Sequence, residues 1–132
     1  MNIVRASLAY FAIVFAVGFA FGAVRTLLVE PRIGATWAIS AEVPVMLIVS
    51  WYAASWLVRR HRATSIYARL RIGLQALLLL VAAETLLGLA FGQTLSEQTH
   101  AYWSVRGLWT LVGQLGFGIM PLLARTRPDR PG

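Results

Sequence analysis

Cysteine is absent, which excludes disulfides, thiolate catalysis and cysteine-ligated metals. Lysine is absent too. All twelve basic residues are arginine, a bias that reads as base composition rather than function. Histidine is scarce: His61 and His100 are the only two, and both fall in expected loops, so a haem held by two histidines inside the fold is not expected. Charged residues make up 13% of the chain, against about 25% in soluble domains. That shortage excludes an ordinary secreted or cytosolic domain. There is no HExxH, no Walker loop, no acid pair at glycosidase spacing and no visible nucleophile–base–orienter set. The expectation is therefore a non-enzyme with no cofactor and no metal.

Apolar sequence is what the chain has in quantity. It is 58% hydrophobic over 132 residues, with mean hydropathy +0.68. A helix crosses the hydrocarbon with roughly 20 apolar residues. The apolar runs are continuous rather than alternating, which argues against a β-barrel. Four runs fit, at about 7–28, 37–58, 72–94 and 103–124, followed by a tail at 125–132. The expected fold is an all-α membrane domain of four transmembrane helices in a bundle. The first run is too long for a signal-peptide core and lacks a clear cleavage site, so it reads as a retained span. Glu30-Pro31-Arg32 is expected to end the first helix. Ser40 is expected to cap the second, with Pro44 in its first turn.

Arginine placement sets the expected orientation. The connection 59–71 holds five arginines and no acid, and the tail holds three arginines against one aspartate. The positive-inside rule then puts both termini in the cytoplasm of a bacterial inner membrane. Topology explains the net charge of +7, so nucleic acid is not an expected partner and membrane lipid is. Arg59, Arg60 and Arg62 are candidates for contact with anionic lipid.

Small residues mark expected packing faces. Gly18 and Gly22 form one GxxxG pair, and Gly88 and Gly92 form another. GFAFG at 18–22 matches GLAFG at 88–92 in four of five positions, at an offset of 70. Either two tandem helical hairpins or chance in a chain rich in small residues accounts for that. Such faces also point to a homo-oligomer or a larger membrane complex.

Glu84 is the most informative residue. With the span at 72–94 it lies near mid-membrane, where an unpaired charge costs on the order of 2.5–3.5 kcal/mol or more. It reads either as a carboxyl exchanging a proton or cation, or as a hydrogen-bonded carboxyl that joins helices. Gln114 reads as its partner or as helix glue. Arg25, Glu42 and Arg106 fall near the outer helix ends, with Arg32 close by. They read as an ion-paired network or as the mouth of a pathway.

ASLAYFAIVFAVGFAFGAVR (6–25), PRIG (31–34), Glu42-x-Pro44, SWYAASWLVRR (50–60), the Glu84 position and GQLGFGIMPLL (113–123) together resemble a group of small bacterial four-helix integral membrane proteins. No activity is attached to that group, so the resemblance implies fold and location alone. Small multidrug transporters are similar in size and also carry a membrane carboxylate. Theirs lies in the first helix, whereas here it lies in the third. The expected function is that of an accessory or assembly protein of the membrane. The alternatives are a small proton-coupled transporter using Glu84 and, third, a lipid-acting enzyme.

Overall fold

The computed structural model describes residues 3–61 and 65–124. These residues are helical apart from short turns, with no strand among them. The elements are α1 (Ile3–Val24), a π-helical turn (Arg25–Val29), α2 (Glu30–Ile33), α3 (Ala35–Arg60), α4 (Ile66–Ala90), α5 (Leu95–Ala101) and α6 (Val105–Leu123). The run Ile3–Ile33, α3 and α4 are each long and apolar enough to cross a membrane, and the chain is a membrane protein on that ground. α6 carries Arg106, Gln114 and Pro121 and is not among these three.

Local chemistry sets the boundaries, and several differ from expectation. Pro31 does not break the first helix. It occupies the first turn of α2, where a missing N–H is tolerated. The stop comes at Gly34, whose φ of 86° lies in the left-handed region that favours glycine. α3 then starts at Ala35, so Ser40 is not its cap. The Ser40 hydroxyl donates to the Trp37 carbonyl (2.9 Å), and Pro44 lies inside the helix. Ser65 caps α4 by accepting from the Ala68 N–H (3.1 Å). α4 starts six residues earlier than expected and ends at Ala90. The segment 95–101, expected as a plain connection, is helical because Thr94 caps it.

The basic connection is also shorter than expected. Arg59 and Arg60 close α3, while Arg69 and Arg71 belong to α4. Arg60 rests over the Trp56 ring (5.4 Å), and Arg71 rests over Tyr67 (5.8 Å). The Arg59 Nε donates to the Ser55 carbonyl (3.2 Å). Arg62 and the tail 125–132 lie outside the described residues.

α1 and α6 each pack against both α3 and α4. One end of the assembly, here the base, gathers the starts of α1 and α4 and the ends of α3 and α6. The opposite end is the mouth. The connected core belongs to the base, where Tyr10, Leu57 and Ile72 are fully buried and Phe117 nearly so. Tyr10 stacks on Phe117 with ring centroids 4.4 Å apart, and its hydroxyl donates to the Phe117 carbonyl. That carbonyl has no helical donor, because the residue four positions on is Pro121. Tyr10 thus supplies from another helix the hydrogen bond that proline removes. Gln75 accepts from the Ser7 hydroxyl at 2.9 Å. Trp51 Nε1 donates to the Leu123 carbonyl at 3.2 Å.

Close helix approach occurs at glycines other than those expected. A Cβ on Gly73 would stand 2.0 Å from the Gly118 carbonyl oxygen, so α4 and α6 meet backbone to backbone there. A Cβ on Gly18 would meet only the end of Met46 at 3.4 Å, and one on Gly22 only the Arg25 side chain at 3.9 Å. Gly88 faces the side-chain amides of Gln93 and Gln98. Gly92 sits in a turn with φ 88° and open space around it. Spacing of small residues shows that they share a face. It does not show which face another helix covers.

Candidate binding cavity

Towards the mouth the helices part around a cavity of about 780 Å³. Its walls include the aromatic rings Phe15, Phe19, Phe91 and Phe117. It stops towards the base at Val14, Ser50 and Phe117, where the core begins. Glu84, Gln114, Arg25, Glu42 and Arg106 all line it, so every residue singled out as a pathway candidate borders one space.

Glu84 and Gln114 are in direct contact. Gln114 Nε2 donates to Glu84 Oε2, although the residues are thirty positions apart on α4 and α6. The Tyr102 hydroxyl lies 3.0 Å from Gln114 Nε2 and 3.2 Å from its Oε1, which fixes the amide from the mouth side. Nothing in the sequence pattern marks Tyr102 for this contact. Glu84 is six residues before Ala90, about 9 Å along the helix from its mouth end. The mid-span placement expected from sequence is corrected by the earlier start of α4.

The charged residues of the mouth are linked through carboxylates. Arg25 Nη1 pairs with Glu42 Oε2, Arg25 Nε stands 3.4 Å from Glu30 Oε1, and Arg106 Nη2 stands 3.2 Å from the same oxygen. In sequence Glu30 reads only as part of a helix stop, yet it joins the two arginines. The π-helical turn is what aligns them: it begins at Arg25, and the Glu30 N–H bonds the Arg25 carbonyl five residues back. Such turns insert one residue into a helix and often occur at functional sites. The sequence gives no signal for it. Arg32, expected near this group, is exposed. The buried Arg25 Nε has no well-aligned hydrogen-bond partner.

At the base, Arg59 and Arg60 are exposed at the end of α3, on the far side of the core from the cavity. Their placement is compatible with lipid contact and separate from the Glu84 group. No protein family, characterised protein or solved structure matches the chain, so the cavity and its residues are what its function must be read from.

Proposed function

We propose that the protein is a four-span bundle of the bacterial inner membrane that binds and carries a small solute. The base faces the cytoplasm and the mouth faces outward. The arginines of the base support that orientation through the positive-inside rule. Packing of α6 between α3 and α4 supports counting it as the fourth span. Glu84 holds a proton while the cavity is empty and releases it through the mouth when solute arrives. The base is closed in this state by Tyr10 against Phe117, and passage inward requires that contact to part.

The observation that carries this reading is the cavity that runs from the mouth to Glu84. A carboxyl that merely joined helices would sit in tight packing, as the Ser7 hydroxyl does. For that reason the transport reading now stands ahead of the accessory or assembly reading. No catalytic role is assigned to any residue.

The test is labelling of Glu84 by a water-soluble carbodiimide supplied to the outer face of spheroplasts, read by mass spectrometry of the peptide. Carbodiimides react with protonated carboxyls, so modification should rise as pH falls and vanish in Glu84→Gln. Folded protein that shows no modification of Glu84 at any pH would sink the proposal.

A further inference from the structure

We infer that the solute is an organic monocation with an apolar body, a conclusion that rests on the cavity being the solute site. The argument begins with charge. The cavity and its mouth carry two arginines, Arg25 and Arg106, and three carboxylates, Glu30, Glu42 and Glu84. The arginines are engaged by Glu30 and Glu42, which leaves that group neutral. Glu84 has no ion pair among the described residues, and its hydrogen-bond donor is the neutral amide of Gln114. The π-helical turn offers it only the more distant field of Arg25, and α3 offers Glu42, already bound to Arg25. α6 offers Gln114, with Arg106 held to Glu30. An ionised Glu84 therefore leaves one uncompensated negative charge, which a proton or one positive charge neutralises. An anion would meet that charge with no free cation to hold it.

The walls decide which cation. A hard inorganic ion needs six or more oxygen ligands, or several waters held by carboxylates. Among the described residues no three acids or histidines stand together so as to hold a metal ion. The Ser50 and Thr110 hydroxyls donate to the carbonyls of Met46 and Arg106, four residues back, which holds each against its own helix. What the cavity offers instead is Phe15, Phe19 and Phe91, together with the Met46 thioether, the Phe117 ring being taken up by its stack on Tyr10. Aromatic faces attract diffuse cations and strip little hydration from them. The volume of about 780 Å³ is that of a drug-sized site.

Binding is then an exchange. The Glu84 carboxyl loses its proton to water in the mouth, and the resulting carboxylate faces the positive centre of the ligand. One positive charge leaves for each one that arrives.

The experiment uses the full chain in lipid nanodiscs, with tetraphenylphosphonium as probe and tetraphenylborate as an anion of the same shape. Tetraphenylphosphonium should bind saturably and protect Glu84 from carbodiimide, and tetraphenylborate should not protect. Glu84→Gln should bind the cation about tenfold or more weakly while eluting as a folded protein. Phe15→Leu, which keeps the apolar volume and loses the ring, should bind about threefold more weakly. Equal protection by the anion, or unchanged binding by Glu84→Gln, would overturn the assignment. If Glu84 labels with pH but the cation gives no protection, the monocation is wrong and the solute site stands. If Glu84 never labels, the site itself is wrong and the monocation falls with it.

Discussion

Replacing Tyr10 by phenylalanine removes one oxygen from the base and leaves the ring that stacks on Phe117. The hydroxyl is the donor to the Phe117 carbonyl, and Pro121 cannot replace it. Tyr10 is fully buried and Phe117 is 2% exposed, so water does not take over. A buried carbonyl left without a donor costs about 1–3 kcal/mol. A shift of that size lowers the unfolding temperature by several degrees in a chain this long. The second arm is Pro121→Ala, which restores an N–H four residues after Phe117. In that background the carbonyl has a helical donor, and Tyr10→Phe should cost about 1 kcal/mol less than in the native chain. The assay is thermal unfolding of all four proteins in one detergent, followed by circular dichroism. Equal cost of Tyr10→Phe in both backgrounds would refute the claim that the tyrosine substitutes for the proline's missing donor.

Two further outcomes follow from the backbone. Gly73→Ala drives a methyl into the Gly118 carbonyl and should destabilise by about 1–3 kcal/mol, whereas Gly18→Ala meets only the movable end of Met46 and should be neutral or slightly stabilising. The same melting assay checks both, and a milder effect at Gly73 than at Gly18 would contradict the packing described. Gly34→Ala meets no atom within 4 Å yet must adopt φ 86°. It should cost about 1–2 kcal/mol from backbone strain alone, with no change in carbodiimide labelling of Glu84.

Much of this arrangement is legible in the sequence. Continuous apolar runs mark the long helices, and lone polar residues within them mark Glu84 and Gln114 as partners. Arg25, Glu42 and Arg106 were placed together because each falls at the same end of its helix. What escaped is what depends on register or on distant contacts. The π-helical turn shifts the face of α1 by one residue, and no residue type signals it. Pro31 reads as a terminator and Pro44 as a first-turn residue because a proline removes a donor wherever it sits, and only the neighbouring structure tells whether a helix tolerates the loss. Tyr10 and Phe117 are separated by 107 positions, and nothing in either run names the other. The glycine pairs failed for a geometric reason. Gly73 and Gly118 lie on different helices with no repeat between them, so their contact leaves no pattern to read.

The one-sided core has an electrical consequence. In the proposed orientation, water entering the cavity carries the potential of the outer face down to Glu84. Glu84 stands eighteen positions after Ile66, about 27 Å along α4, alongside the packed base. The membrane voltage then falls across the base rather than evenly along the molecule. Moving one charge through 100 mV involves about 2.3 kcal/mol. A proton leaving Glu84 through the mouth would feel almost none of that field, and one leaving through the base would feel nearly all of it.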